Sequence, residues 1–336
     1  MISHPAKYYG KQEDKIKCLL CPHACILSEG KTGLCKTRFN QCHELYTKAW
    51  GNLCSLSIDP IEKKPLFHFL PGSDTLSVAI EGCTFHCLNC QNFSISQYGP
   101  GINTRFNILP DELVELAISK NCESISYTYS EPIAFYEYML ETARLAKEKG
   151  IKNVMVSNGY INTEPLIELC KYIDAANIDL KAFDNSMHRK LTSGSLQPVL
   201  DSLKTIKEKN VWLEITNLII PDWTDNMQSI QEMCKWLVEN DFSEVPVHFS
   251  RFQPMYKMDN EAHTPSETIL KAVDIALKEG IKYVYAGNMR GNSRENTFCP
   301  TCLNTLIYRN GFEVVKNEMT NGICNTCFSK ISGIWQ

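Results

Sequence analysis

The sequence has no long hydrophobic run, no excess of basic residues and no low-complexity stretch. Its 336 residues include 34 Lys and Arg against 38 Asp and Glu, a net charge of −4, so the charge does not point to a nucleic acid as the main partner. No apolar run reaches the roughly 18–20 residues needed to cross a membrane. The first 17 residues are polar and lack the apolar centre of a secretory signal. We therefore expect a cytoplasmic protein without membrane association.

Cysteine, by contrast, is abundant, with 16 residues in a chain that is 43 % apolar and 21 % charged. Because cytoplasmic thiols stay reduced, grouped cysteines there more often bind metal than form disulfides, and secreted disulfide frameworks, the alternative, usually belong to short chains. Eleven cysteines form three groups: Cys18, Cys21, Cys25 and Cys35; Cys83, Cys87 and Cys90; Cys299, Cys302, Cys324 and Cys327. The other five are expected to be buried as small apolar residues: Cys42, Cys54, Cys122, Cys170 and Cys234.

The three cysteine groups divide the chain into a head (residues 1–70), a middle (71–290) and a tail (291–336). The middle alternates apolar, strand-like runs with helical patterns. The predicted strands are 75–81, 124–129, 153–157, 176–181, 211–219, 245–252 and 282–286, and the predicted helices include 132–149, 225–238 and 264–279, the last with Leu270, Val273 and Leu277 on its buried face. At least six successive βα units predict an α/β fold with a parallel sheet, either open or curved toward a barrel. Function is then expected at the carboxyl ends of the strands.

The loop that follows the first predicted strand carries three cysteines within eight residues, at positions 83, 87 and 90. A structural zinc site and a ferredoxin-type cluster each take four protein ligands. Three cysteines on a four-iron cluster leave one iron open, as a site that binds a reactant requires. The alternative is zinc held by these three cysteines and His86, which would not explain why the loop lies at a strand end. No G-x-G-x-x-G follows the first strand, so dinucleotide binding has no support.

This C-x3-C-x2-C loop resembles that of the radical S-adenosylmethionine (SAM) enzymes. The resemblance continues at successive strand ends, where short segments are similar to motifs of the pyruvate formate-lyase activating enzymes: 129–132, 157–160, 179–181 and 220–225. Further segments resemble the AmmeMemoRadiSam-system radical SAM proteins: 18–25, 59–65, 90–96, 127–132, 248–252 and 283–288. The resemblance implies a partial (β/α)6 TIM-type barrel of radical SAM type, with small Cys-rich metal-binding extensions at both ends.

The resemblance also implies the cofactors, a [4Fe–4S] cluster on the three cysteines of the loop and SAM bound to its open iron. Glu131, or the carbonyls around Ser130, would receive the SAM amino group, and Asn158 would bond its ribose or carboxylate. Asp179 belongs to the same set of cofactor-binding residues. The residue before the last cluster cysteine is usually aromatic in these enzymes but is Asn89 here, so its backbone can still bond the adenine while ring stacking is lost.

Lys181, His248 and Arg251 lie in or just beyond the fourth and sixth strands and are the candidate catalytic residues. If they face the barrel mouth, they orient a substrate. Each also has a structural interpretation: a carboxylate-paired lysine, a core histidine and an arginine in a rim salt bridge.

The expected activity is reductive cleavage of SAM and abstraction of hydrogen from an unidentified substrate, with an electron donor such as flavodoxin or ferredoxin. One alternative is an activase that places a glycyl radical on a partner protein. The other, from a different class, is a non-catalytic iron–sulfur electron carrier or metal-folded binding module.

The outer cysteine groups differ in how clearly their spacing indicates a metal. Cys299, Cys302, Cys324 and Cys327 have the two-knuckle spacing of a zinc ribbon or rubredoxin-like site, which predicts zinc first and a single iron second. Strands at 306–308 and 312–315 are expected to form a hairpin around an Asn-Gly turn. Cys18, Cys21, Cys25 and Cys35 suit zinc and an auxiliary [4Fe–4S] cluster equally, and His23 can replace one of them.

Overall fold

The computed structural model describes residues 3–289 and 291–336. The head contains six short strands: β1 (His4–Pro5), β2 (Tyr9–Gln12), β3 (Lys15–Cys18), β4 (Ile26–Leu27), β5 (Arg38–Gln41) and β6 (Glu44–Thr47). They form two three-stranded antiparallel sheets, in the orders β1-β6-β5 and β2-β3-β4. With strands of two to four residues, the head has little regular structure, and its loops carry all but one of its grouped cysteines.

The middle is built on a nine-stranded sheet. Its strands are β7 (Asn52–Pro60), β8 (Asp74–Ile80), β9 (Phe106–Asn107), β10 (Ser124–Tyr127), β11 (Lys152–Ser157), β12 (Ala175–Asp179), β13 (Trp212–Ile219), β14 (Val247–Arg251) and β15 (Val284–Gly287). The spatial order is β15-β14-β13-β12-β11-β10-β8-β7-β9. The seven predicted strands are confirmed as β8 and β10 to β15, all paired in parallel.

Helices connect the parallel strands. They are α1 (Phe93–Ser96), α2 (Pro110–Ser119), α3 (Tyr136–Glu148), α4 (Thr163–Leu169), α5 (Asn185–Thr192), α6 (Gln197–Glu208), α7 (Met227–Glu239) and α8 (Ser266–Glu279), with short 3-10 helices at Ile61–Lys63, Pro132–Phe135 and Ser293–Glu295. Because the parallel strands follow one another in chain order, right-handed crossovers place these helices on one face of the sheet. This is the predicted partial TIM-type barrel of six βα units, with β15 as a seventh parallel strand. Within the described residues, no helix has the length and apolarity to span a membrane.

The buried face of α8 differs from the predicted one. Ile269, Val273 and Ala276 are buried, whereas Leu270 and Leu277 are exposed, so the helix is rotated relative to the prediction. The stretch holds two overlapping apolar stripes, and packing against α7, β14 and β15 selects the one that is buried.

Burial of the scattered cysteines follows the prediction in part. Cys54, Cys122 and Cys234 are buried, and Cys170 is half-buried. Cys42 is exposed, so the prediction is wrong for this residue. Cys42 lies in the tight turn between β5 and β6 and has a positive φ of 53°, which places it at a hairpin tip rather than in a core.

Strand β7 extends the core sheet into the predicted head. It pairs antiparallel with β8, and β9 pairs with its far edge. The segment that follows β7 covers the amino ends of the strands: Glu214 accepts hydrogen bonds from the main-chain N–H groups of Phe67 (3.0 Å) and His68 (2.7 Å). A division of the chain at residue 70 therefore cuts through a single packed unit.

The tail closes the same amino end of the barrel. It consists of β16 (Thr297–Phe298), β17 (Thr305–Asn310), β18 (Glu313–Asn317), β19 (Met319–Thr320) and β20 (Ile323–Cys324), with the predicted hairpin between β17 and β18. Arg309 on β17 donates to the carbonyl oxygen of Phe67 at 2.8 Å and pairs with Glu62 at 3.5 Å. Both charged side chains are fully buried, so this ion pair joins the tail to the segment that fills the barrel bottom.

Replacing Arg309 with Ala should destabilise the protein by about 3–5 kcal/mol, because Glu62 would be left buried without a counter-charge. The measurement is urea unfolding under anaerobic conditions. Lys316→Ala, which removes an exposed lysine paired with Glu318 on the same hairpin, should cost at most about 1 kcal/mol. Equal losses for the two variants would contradict the role given to Arg309.

Candidate functional site

The three-cysteine loop begins where β8 ends, and its main chain is fixed by the end of α5. The N–H of His86 donates to the carbonyl of Thr192 at 2.9 Å, and the N–H of Leu88 to that of Leu191 at 3.0 Å. Phe85 is fully buried, and a Cβ added at Gly194 would lie 2.1 Å from its ring. Only glycine fits there, so the loop is held by close packing as well as by hydrogen bonds.

Two thiols of this loop, those of Cys83 and Cys87, are poor anions in the absence of a metal. Burial raises the pKa of Cys87 to about 12. Burial also raises the pKa of Cys83 well above its ordinary value, and the nearby Glu131 adds to the shift. Cys90 lies 3.0 Å from the hydroxyl of Ser96. Since metal binding needs the thiolate and displaces the proton, Cys83 and Cys87 can both be thiolates only around a cation.

Glu131 lies at the end of the next strand in the sheet, β10, and ties it to β11. Its carboxylate accepts hydrogen bonds from the Ser157 hydroxyl (2.7 Å), the Asn158 N–H (2.9 Å) and the Ile133 N–H (3.1 Å). Burial raises its pKa to about 7, against the lowering effect of these hydrogen bonds. Glu131 therefore holds the segment after β10 against the end of β11. Oε1 accepts two of these bonds and Oε2 accepts one, so one acceptor position remains on Oε2.

Asn158 connects β11 to the three-cysteine loop. Its Nδ2 donates to the Thr84 hydroxyl at 3.0 Å and lies 4.0 Å from the sulfur of Cys83. Its Oδ1 accepts from the N–H of Tyr160 at 2.9 Å. The ends of β8, β10 and β11 are thus joined through side chains that sequence reasoning assigned to one site.

Asp179 and Lys181 form an ion pair of 2.8 Å at the end of β12. Burial alone would lower the pKa of Lys181, but the carboxylate of Asp179 raises it above its ordinary value. The lysine is therefore a fixed positive charge beside the cysteine loop.

Asn89 and Ser130 complete the set. The Oδ1 of Asn89 is buried and, within the described chain, has no hydrogen-bond partner. The Ser130 hydroxyl donates to the carbonyl of Ile80 at 2.6 Å. An unpaired buried acceptor beside the cysteine loop fits a ligand with N–H groups, such as adenine.

Comparison with known proteins identifies the family. A family model described as "Radical SAM superfamily" matches residues 77–237. The chain belongs to the radical SAM superfamily. It is 44 % identical over 329 residues to an uncharacterized protein of Methanocaldococcus jannaschii, with 97 % of this chain and 98 % of that protein covered. It is 27 % identical over 157 residues to the pyruvate formate-lyase 1-activating enzyme of Escherichia coli K12, with 46 % of this chain and 64 % of that enzyme covered.

The fold of the superfamily is confirmed by a solved structure. The crystal structure of Streptococcus suis SuiB bound to S-adenosylmethionine matches with a TM-score of 0.51 at 14 % identity, covering 71 % of this chain and 56 % of that chain. At this identity the likeness concerns the fold alone.

The two remaining candidate residues, His248 and Arg251, lie towards opposite ends of β14. His248 is the second residue of β14 and is buried near the amino end of the barrel, where its Nε2 lies 2.6 Å from Glu214. Its ring packs edge-on against Phe67. This placement favours the core-histidine interpretation. Arg251 is the last residue of β14, at the carboxyl end, and its Nε donates to the carbonyl of Thr264.

Sequence reasoning missed three residues of the site. Ser157 and Thr84 hold Glu131 and Asn158, and the side chain of Asn92 donates to the carbonyl of Tyr129 at 2.6 Å. Each lies within or beside a segment that resembles the family, so the signal was present. The segment alone does not tell which neighbour a hydroxyl or amide contacts.

The four tail cysteines form a compact group at the opposite end of the barrel. Their sulfurs lie within 4.8 Å of one another, with 3.5 Å between Cys299 and Cys327 and 3.7 Å between Cys302 and Cys324. A tetrahedral ion with metal–sulfur bonds of about 2.3 Å places its sulfurs about 3.8 Å apart. This group therefore has the size of a site for one metal ion.

Replacing Ser157 with Ala should destabilise the protein more at pH 8 than at pH 6. The pKa of Glu131 in the folded protein, about 7, lies above its ordinary 4.5, so its ionisation costs stability as the pH rises between these values. Loss of the Ser157 hydroxyl raises that pKa further, and the expected cost reaches about 1.5–3 kcal/mol at pH 8.

The measurement is anaerobic urea unfolding of both proteins at the two pH values. Ser119→Ala, at an exposed hydroxyl on α2, is the control and should change stability by no more than about 0.5 kcal/mol at either pH. A Ser157 penalty that is the same at pH 6 and pH 8 would show that the hydroxyl does not act on an ionised Glu131.

Proposed function

We propose that this protein is an enzyme that cleaves SAM reductively and abstracts hydrogen from a substrate, with a [4Fe–4S] cluster on Cys83, Cys87 and Cys90. The observation that carries the proposal is that the three thiols follow the carboxyl end of β8 without converging on one point. Within the described chain, neither they nor His86 form a set of ligand atoms within 4.8 Å, as the tail cysteines do, and His86 Nδ1 instead lies 2.9 Å from Gln97 Oε1. Separate iron corners of a cluster need this wider spacing, whereas one zinc ion does not.

A cluster and SAM bound here would supply the difficult chemistry, one-electron reductive cleavage and the abstraction of hydrogen. The residues of the chain bind and orient. The spare acceptor capacity of Glu131 and the carbonyls around Ser130 suit the SAM ammonium. Asn158 is held by Thr84 against the loop, at a place suited to the ribose or carboxylate. The unpaired Oδ1 of Asn89 suits the adenine amino group.

Lys181 is the residue that we propose positions the substrate. It is held by Asp179 and faces the cysteine loop, and its raised pKa keeps it protonated at neutral pH. An anionic or carbonyl group of a substrate fits beside such a charge. Arg251 has its Nε committed to the carbonyl of Thr264, which leaves its terminal nitrogens for a similar role at the rim.

We also propose zinc for the tail site, with a single iron as the alternative. Support comes from the compact sulfurs of its four cysteines and from the position of the tail at the amino end of the barrel, opposite the chemistry. Zinc there would fold the tail rather than take part in the reaction.

The reconstituted protein, supplied anaerobically with SAM and dithionite, should release 5′-deoxyadenosine. The variant with Cys83, Cys87 and Cys90 all replaced by Ala should give none above background, because no open iron remains. The matched control replaces three scattered cysteines with Ala, Cys122, Cys170 and Cys234, and should retain the activity. The enzyme proposal fails if the wild type and the loop variant cannot be told apart by chromatography of the products.

Similarity to the pyruvate formate-lyase 1-activating enzyme favours a second candidate, an activase that places a glycyl radical on a partner protein. A protein with a C-terminal glycine loop encoded beside this one would be the partner to test. Mixed with the reconstituted enzyme and SAM, it should develop the doublet of a glycyl radical in its electron paramagnetic resonance (EPR) spectrum. SAM cleavage without that doublet would favour another substrate.

A further inference from the structure

We propose that the head holds a second [4Fe–4S] cluster, rather than zinc, on Cys18, Cys21, Cys25 and Cys35. These four cysteines line one pocket, together with Arg38 and Thr84. The rest of the wall is mainly apolar: Leu20, Leu27, Leu34 and Ile133. A zinc ion bound by four sulfurs fills the space between them and leaves no such pocket, whereas a cluster has inorganic sulfides as well as irons to house.

The spacing of the head sulfurs gives the same result. Among the described residues, the tail cysteines are the group in which three or more metal-ligand atoms all lie within 4.8 Å of one another. The head cysteines surround one pocket without meeting that limit. The protein thus contains two four-cysteine groups of different size, one matched to a single ion and one wider.

Arg38 supplies an independent observation. Its side chain is 2 % exposed and lines the pocket. One terminal nitrogen lies 3.3 Å from the sulfur of Cys18, and the other donates to the carbonyl of Lys7 at 2.7 Å and pairs with Glu137. Its Nε is buried and has no partner among the described residues. Inorganic sulfides accept N–H hydrogen bonds, and an arginine beside a cluster offsets its negative charge.

The pocket lies directly against the proposed SAM site. Thr84, which follows the first cysteine of the loop, is part of its wall, and the carbonyl of Thr84 lies 2.7 Å from the Nε2 of His23. A Cβ added at Gly82 (φ +117°) would lie 2.6 Å from the carbonyl oxygen of Cys35. The two cysteine groups are therefore packed against each other, and a head cluster is close enough to exchange an electron with the site.

Iron and sulfide content tests this assignment separately from SAM cleavage. The protein is purified anaerobically and reconstituted, and its iron, acid-labile sulfide and zinc are counted. The wild type should hold about eight irons and eight sulfides in clusters, and the Cys83, Cys87 and Cys90 alanine variant about four of each. That variant lacks the proposed SAM site, so its result does not depend on the proposed function.

Two further variants locate the remaining iron. Adding Cys21→Ala and Cys25→Ala to the loop variant should remove the last four irons and the EPR signal of the dithionite-reduced protein. Adding Cys302→Ala and Cys327→Ala instead should leave that signal unchanged. A folded loop variant that holds no sulfide, or zinc in place of iron in the head, overturns the assignment. About four cluster irons in the wild type overturn it when the loop variant holds none, whereas four irons in both proteins support the head cluster and count against the cluster in the loop.

Discussion

Buried thiols that can ionise only around a cation are the constraint on which the rest of this structure depends. Cys83 and Cys87 have their pKa values raised by burial, so the loop after β8 can be charged only when a metal compensates. The positions of these thiols must then be set by the surrounding chain. The loop is held by hydrogen bonds to the end of α5, by the contact between Phe85 and Gly194, and by the hydrogen bond from Asn158 to Thr84. Glu131, at the end of β10, is held by the same group of strand ends.

The two ends of the barrel carry different kinds of buried charge. At the amino end, Glu214 and Arg309 are satisfied by partners within the chain, and the tail locks them in place. Beside the cysteine loop and in the head pocket, Asn89 and Arg38 each have a buried polar atom without a partner among the described residues. Unpaired buried groups cost stability, and they are tolerated where a ligand completes them. The head belongs to this second end, and the tail to the first.

The sequence predicted most of this because its signals are local. Strand-like runs and the cysteine loop were identified from neighbours in the chain, and the structure has the strands where they were expected. The neighbours of His248 in the sequence do not show whether its side chain lies near the amino end or the carboxyl end of the barrel. It could therefore not be distinguished from a residue at the barrel mouth. The same holds for the face of α8, where Leu270 is exposed. The sequence did not distinguish zinc from a cluster in the head, because the pocket there is lined by segments more than a hundred residues apart, from Cys18 to Ile133.

The proposed cluster on the loop cysteines has one iron open to SAM, and this can be observed directly. The most direct measurement is electron–nuclear double resonance on the reduced protein with SAM carrying ¹⁵N in its amino group and ¹⁷O in its carboxylate. We expect hyperfine coupling of both labels to a cluster, and we expect it to be lost in the variant without Cys83, Cys87 and Cys90. A cluster spectrum unchanged by SAM, with no coupling to either label, would contradict it.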